Sequence, residues 1–279
     1  AGLGVWLIAS WLSPRIAGER VASGPPSRPA LATVPLTSYP GREWHPALSP
    51  DASQVAFVWA GPTGDNADIY VKQRDNETPL RLTDDPGWAA WPAWAPDGQT
   101  IAFVRGEAGV GTICTVPSIG GPVRRLLETD SWVEGLDWSP DGRTLVLSAR
   151  LAADMTTANP GSEAAVTTAG HRLYLLDLST LQVTACPVGT PRGAGDFHPR
   201  FSPDGERIAW IGMEQTGAYS LCTAAASGAP VTRLLSGLAA LQGLAWTADG
   251  RELVYAAAPA GAFNLWRING GITTMQSYI

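Results

Sequence analysis

The sequence predicts an all-β fold, a β-propeller of four-stranded antiparallel blades with five recognisable repeats. Three observations carry the prediction. One turn phrase recurs as Ser49-Pro50-Asp51-Ala52, Ala95-Pro96-Asp97-Gly98, Ser139-Pro140-Asp141-Gly142, Ser202-Pro203-Asp204-Gly205 and Thr247-Ala248-Asp249-Gly250, with aspartates 46, 44, 63 and 45 residues apart. That spacing is the period of a solenoid or a propeller. Each phrase then runs into a strand-like stretch: Val55-Ala56-Phe57-Val58-Trp59, Ile101-Ala102-Phe103-Val104, Thr144-Leu145-Val146-Leu147, Ile208-Ala209-Trp210-Ile211 and Leu253-Val254-Tyr255. A large apolar residue also precedes each phrase, Leu48, Trp94, Trp138, Phe201 or Trp246. Its expected place is a wedge between adjacent blades.

The phrase has a local mechanism. Pro presets φ at the start of the turn, Asp bonds the turn backbone, and Gly takes the positive-φ position. The repeat unit is therefore a hairpin and not a helix pair. A single unit cannot bury both faces of its sheet, and radial stacking supplies the missing cover.

The strands follow from the turns. The first unit is expected at 44–48, 55–60, 68–72 and 80–83, the second at 91–94, 101–105, 112–116 and 123–127. Trp88, Trp91 and Trp94 stand three apart, yet Pro92 and Pro96 exclude a regular helix there. The third unit is expected at 135–138, 144–148, 173–176 and 182–185. Its extra stretch, 151–170, is rich in small and polar residues and reads as an exposed loop. The fourth unit is expected at 197–201, 208–212, 218–223 and 231–235, the fifth at 241–246, 253–257 and 264–268. The last outer strand falls to 35–38 or to 272–279.

Composition narrows the class. With 12 Trp, 45% apolar and 16% charged residues, the chain is built to fold. A net charge of −6 argues against nucleic-acid binding, which needs concentrated Lys and Arg. The three cysteines, Cys114, Cys186 and Cys222, form no CxxC pair and read as inert buried thiols. Residues 1–14 read as an apolar helix, but the run 2–12 is too short to span a bilayer, which needs about 20 residues. It is either the trailing half of a transmembrane segment, tethering the protein to a membrane, or a short helix packed on the domain. Residues 15–34 are Pro-rich and read as a linker. The propeller takes up 35–279.

The phrase Phe201-Ser202-Pro203-Asp204-Gly205-Glu206-Arg207-Ile208-Ala209-Trp210 and its copies resemble the WD40-like, PD40-type repeat of TolB-like β-propellers, over about 36–271. The resemblance implies six or more blades, whereas this sequence shows five phrases. Five blades are expected, or six if the chain is incomplete. Ala52 replaces the usual Gly and Ala248 the usual Pro, which should disfavour positive φ in the first turn and loosen the start of the last. Such propellers occur in periplasmic translocation proteins and beside the catalytic domains of prolyl-oligopeptidase-like and amidohydrolase-like enzymes. They also form the extracytoplasmic part of membrane-anchored winged-helix regulators and some bacterial kinases. Pro35-Leu36-Thr37-Ser38-Tyr39-Pro40-Gly41-Arg42-Glu43, after an apolar run and a Pro-rich stretch, looks most like the last two.

No nucleophile elbow, His-Glu-x-x-His or P-loop is present in the sequence. His45-Pro46 and His198-Pro199 share one repeat position, Glu43 and Asp196 precede them by two residues, and Arg200 follows the second pair. Inner strands line a propeller's channel, so Glu43, His45, Asp196, His198 and Arg200 are the candidate ligand-binding residues at its mouth. The bland alternative is that each bonds backbone between blades. Trp91, Gly135 and Gly243 hold the equivalent positions, which speaks against a ring-wide catalytic site. The five turn aspartates are structural by the same logic. No catalytic residue, metal or cofactor is assigned.

The expected function is a non-catalytic interaction or sensory module with an unidentified protein partner, on the periplasmic or extracytoplasmic face of a bacterial membrane. The alternatives are a propeller accessory to a peptidase or amidohydrolase-like enzyme, and a propeller that binds a small ligand or metal.

Overall fold

The structure is a computed structural model that describes residues 35–64, 66–107, 109–129, 131–151, 170–190, 195–228, 230–258, 261–269 and 272–278, the last as backbone. The expected N-terminal helix and linker, and the loop at 152–169, lie outside these residues.

Among the described residues the strands form five four-stranded antiparallel sheets, each a simple meander in chain order. Blade 1 is β1 (Glu43–Leu48), β2 (Gln54–Trp59), β3 (Asp68–Gln73) and β4 (Leu80–Arg81). Blade 2 is β5 (Trp88–Trp94), β6 (Thr100–Glu107), β7 (Val110–Pro117) and β8 (Arg124–Thr129). Blade 3 is β9 (Val133–Trp138), β10 (Thr144–Ala149), β11 (Arg172–Asp177) and β12 (Val183–Ala185). Blade 4 is β13 (Gly195–Phe201), β14 (Arg207–Met213), β15 (Tyr219–Ala225) and β16 (Thr232–Leu238). Blade 5 is β17 (Leu241–Trp246), β18 (Glu252–Ala257), β19 (Asn264–Asn269) and β20 (Ile272–Tyr278). The fold is thus an all-β propeller of five blades. β20 pairs with β19, whereas 35–38 is not a strand. Blade 5 is completed from its own side of the chain.

Most strands run one to three residues beyond the bounds expected from sequence. β4 is shorter than expected, for a physical reason. The Leu82 amide still donates to the Ile69 carbonyl at 2.8 Å, and then the Thr83 hydroxyl takes over, accepting from the Ile69 amide at 3.0 Å and donating to buried Asp68 at 2.8 Å. A side chain thus replaces the backbone acceptor of the Ile69 amide.

The turn phrase works as its composition predicts, with one addition. Its fourth amide donates back to the first carbonyl at 2.8–2.9 Å in every copy, as in Gly142 to Ser139. The Asp carboxylate caps the turn, as where Ser49 Oγ donates to Asp51 at 2.6 Å and Ser53 N donates at 3.0 Å. The first hydroxyl does a second job. Ser49, Ser139, Ser202 and Thr247 each accept the amide five residues on, at 2.9–3.0 Å, closing the hairpin. The first turn departs from expectation. Ala52 keeps φ at 56° despite its Cβ, because the surrounding bonds hold the turn in the shape that Gly takes elsewhere.

Successive blades are joined by a lock that points one way along the chain. Trp94 Nε1 donates to the Ala47 carbonyl of blade 1 at 2.9 Å, Trp138 to Ala93 of blade 2 at 3.0 Å, and Trp246 to Arg200 of blade 4 at 3.2 Å. Phe201 has no ring donor, and its backbone amide instead donates to Asp137 of blade 3 at 2.9 Å. On the turn side, each glycine lies over the proline of the preceding blade. A Cβ on Gly98, Gly142, Gly205 or Gly250 would stand 3.8, 3.8, 3.3 or 3.5 Å from Cδ of Pro50, Pro96, Pro140 or Pro203. Four buried apolar clusters fill the same four junctions, between blades 1 and 2, 2 and 3, 3 and 4, and 4 and 5.

The elements of this lock are missing where blade 5 faces blade 1. Leu48 stands at the Trp position of blade 1 and is 55% exposed. Ala52 stands at the Gly position, and Ala248 of blade 5 at the Pro position. β18 alternates, with Leu253, Tyr255 and Ala257 buried toward blade 4 while Val254 and Ala256 are only partly covered. In β6 of blade 2 both faces are buried.

Candidate functional site

Every inner strand carries a β-bulge at the same place. In β1 the pairing passes from Trp44↔Val58 to Ala47↔Ala56, so His45 and Pro46 oppose a single residue. The same break sets Trp91 and Pro92 apart in β5, and His198 and Pro199 in β13. Glu134 and Gly135 lie in the break of β9, and Gly243 in that of β17. Bulges re-aim side chains, and a proline suits the unpaired position because it has no amide to satisfy. His45, Trp91, Gly135, His198 and Gly243 have φ of 50°, 54°, 119°, 51° and 63°. Positive φ is uncommon for residues with a Cβ and is found at built sites.

The bulges bring three rings together. His45 stacks on Trp91 with centroids 3.5 Å apart and planes at 19°. His198 meets the same indole edge-on at 4.7 Å. The Trp91 amide donates to His45 Nδ1 at 3.4 Å. Gly135 is required by the fourth blade, since a Cβ there would lie 3.1 Å from His198 Cα. Gly243 faces open space. The rings therefore gather on the side of blades 1, 2 and 4, and blade 5 contributes bare backbone.

A cavity of about 740 Å³ lies in front of them. It is lined by His45, Trp91, His198, Arg200, Glu134 and Gly243, and it extends between Arg42 and Trp44 of blade 1 and Val254, Ala256 and Leu265 of blade 5. Arg200 Nη1 donates to the Leu136 and Pro199 carbonyls at 3.1 and 2.8 Å, which fixes its position. The Arg42 guanidinium lies 5.3 Å from the Trp44 ring centroid. Burial, reinforced by Arg200, lowers the His45 pKa to about 4. Burial, Arg200 and His45 lower that of His198 to about 3. Both rings are neutral at pH 7. Burial pushes the Glu134 carboxyl up, and it pushes Asp137 up against the opposing pull of Arg200.

Of the five candidate residues, His45, His198 and Arg200 line this one cavity. Glu43 and Asp196 lie elsewhere. Glu43 accepts from Thr37 Oγ1 at 2.7 Å and the Tyr39 amide at 3.1 Å, holding the chain that enters blade 1. Asp196 is buried, and its carboxylate accepts the Thr190 amide at 3.0 Å. Ser148 of blade 3 donates to its carbonyl at 2.5 Å. Sequence reasoning did not single out Trp91, Glu134 or Arg42 as site residues. The available signal was the pattern of Gly135, Gly243 and three X-Pro pairs at one repeat position, which marks a shared positive-φ bulge. Among the described residues, no group of three or more His, Cys, Asp and Glu side chains is placed to hold a metal. Burial raises all three cysteine pKa values, Cys186 to about 11, so each is a thiol at neutral pH.

A family model described as the TolB beta propeller domain matches residues 31–171. The uncharacterized peptidase YuxL of Bacillus subtilis (strain 168) is 35% identical over 69 residues, which is 25% of this chain and 10% of that protein. TolB from Acinetobacter baumannii superposes with a TM-score of 0.67 at 20% identity, covering 82% of this chain and 52% of that one. The putative TolB from Agrobacterium tumefaciens gives 0.66 at 18% identity, covering 86% and 81%. The chain thus spans about a tenth of the curated relative and about half of the Acinetobacter protein.

Proposed function

We propose that this chain, which belongs to the TolB beta propeller domain family, is a non-catalytic, extracytoplasmic protein-interaction module that receives a partner's chain in the cavity at the blade 5 side of its channel. One observation carries this reading. Three of the five bulged strands, β1, β5 and β13, aim three rings and Arg200 at one concave space, and that space opens along a partly uncovered sheet face. Concave, mostly apolar surfaces with a few fixed polar groups are where ligands bind. His45, His198 and Arg200 are the contact residues, and Glu43 and Asp196 support the strands that carry them. Tethering through residues 2–12 and the Pro-rich stretch would place the module on the extracytoplasmic face of a membrane and let it report binding.

A photo-crosslinking residue at Gln242 in the 279-residue chain tests this. The expected result is a discrete crosslinked protein in cells that is lost on Trp91→Ala, while the same probe at exposed Glu206 captures nothing. Equal capture at both positions, or capture indifferent to Trp91, rejects the site.

A second reading is favoured by the 69-residue stretch shared with the peptidase YuxL. In it the propeller accompanies a hydrolase domain, and the parent polypeptide would cleave peptides. Absence of a nucleophile elbow from the parent polypeptide rejects it.

A further inference from the structure

The seam between blade 5 and blade 1 is unlike the other four junctions. Its Trp, Gly and Pro positions hold Leu48, Ala52 and Ala248. The face that blade 5 turns toward it carries Val254, Ala256 and Leu265, the last 55% exposed. Alternate residues of a strand face the same side, about 6–7 Å apart. Val254 and Ala256 therefore stand at the spacing of an extended chain, Leu265 lies beside Ala256 on β19, and Arg267, ion-paired with Glu252 at 2.6 Å, lies beside Val254.

The charges along the seam are uneven. Two arginines line the cavity, Arg42 at the blade 1 rim and Arg200 beside the rings, and Glu134 is the acid lining it. Asp137 lies behind Arg200 and is bound by the Phe201 amide. The two histidines are neutral rings, so they add no positive charge and supply stacking surface. This cationic rim belongs to a chain of net charge −6. A basic patch on an acidic protein selects for negative charge, whereas two such patches brought face to face repel each other.

Resting on the interaction reading above, we propose that the seam cleft takes an extended acidic segment of a partner protein, its carboxylates on Arg200 and Arg42 and its alternate aliphatic side chains on Val254, Ala256 and Leu265. Burial of the aliphatic residues supplies affinity, and the arginines supply sign and register.

The test uses fluorescence anisotropy with the 279-residue chain and a fluorescein-labelled 12-residue peptide of alternating Glu and Val. A second peptide has Lys in place of Glu. The Glu peptide is expected to bind at least tenfold more tightly than the Lys peptide, and its affinity should fall with added salt. Arg200→Gln with Arg42→Gln should weaken it at least tenfold, and Leu265→Glu should do so separately while leaving the urea midpoint unchanged. Equal or tighter binding of the Lys peptide overturns the proposal. So does Glu-peptide binding that ignores all three substitutions. A dimer in sedimentation that Leu265→Glu dissolves also overturns it, since the face would then be a self-interface. If crosslinking at Gln242 persists and depends on Trp91 while the Glu peptide fails, the interaction reading stands and the acidic class is wrong. If both fail, the site itself is rejected.

Discussion

Blades 2 and 5 are built from the same phrase and end up in different surroundings. β6 of blade 2 has Ile101, Ala102, Phe103 and Val104 all buried, with neighbours on both faces. β18 of blade 5 buries only every second residue. The hairpins themselves are equally well made. The Thr247 hydroxyl and the Asp249 carboxylate of blade 5 bond their turn just as Ser139 and Asp141 do in blade 3. The repeat thus specifies a blade, while a few lock residues specify whether that blade is docked.

The largest expected effect separates a locked wedge from an unlocked one. Trp94 is buried and donates to Ala47, so Trp94→Ala should cost about 3–5 kcal/mol in urea unfolding. Leu48→Ala, at the same repeat position on the seam, should cost under about 1 kcal/mol. Similar losses would mean that the seam is packed after all.

Acid is the next lever, acting on the channel rings of blades 1 and 4 that flank Trp91. The His45 and His198 pKa values are lowered, to about 4 and about 3, by burial first and then by Arg200. The unfolded chain therefore takes up protons first as the pH falls below about 6.5. Stability contributed by neutral rings is present above that pH, and it is lost progressively down to the folded values. The loss should reach about 1–2 kcal/mol per histidine by pH 5. Glu134, Asp137 and Asp196 shift the opposite way and favour the folded state on acidification. The informative quantity is therefore the difference between the parent and His45→Asn/His198→Asn, in which Asn tolerates positive φ. A double variant as acid-sensitive as the parent would exclude the histidines as the cause.

The turn positions give smaller, opposite effects. Gly205→Ala places a Cβ at φ 75° and 3.3 Å from Pro140, and should lower stability by about 1–2 kcal/mol. Ala52→Gly removes a Cβ already strained at φ 56° and should raise stability by about 1 kcal/mol. If Ala52→Gly destabilises, Ala52 has a packing partner and the seam is not open on that side.

The sequence made the blades legible because everything that defines a hairpin is local. Phrase, apolar run and wedge residue lie within a dozen positions of each other, and all five copies fold into hairpins as their spacing implies, whereas Leu48, 55% exposed, does not take the expected wedge position. The site was half legible. His45, His198 and Arg200 could be matched by repeat position, because bulges recur in phase. The separation of Glu43 and Asp196 from them was not legible, since their partners Tyr39 and Thr190 lie on chain entering the blades, outside the repeat. Ala52 and Ala248 were visible as departures from the phrase. That they face one seam follows only from the turn-to-turn contacts of Gly with Pro.

The direction of the lock also has a consequence in time. In each indole bond the acceptor precedes its donor in the chain, by 47, 45 or 46 residues. A ribosome making this protein releases every receiving surface before the residue that will occupy it. Each docking step closes a loop of about one repeat, so no blade waits for distant chain. Joining blade 5 to blade 1 would close a loop about four times longer, at roughly 1 kcal/mol more in chain entropy. Growth of the propeller is thus a sequence of short steps, and the one long step is the one whose Trp, Gly and Pro positions hold Leu48, Ala52 and Ala248.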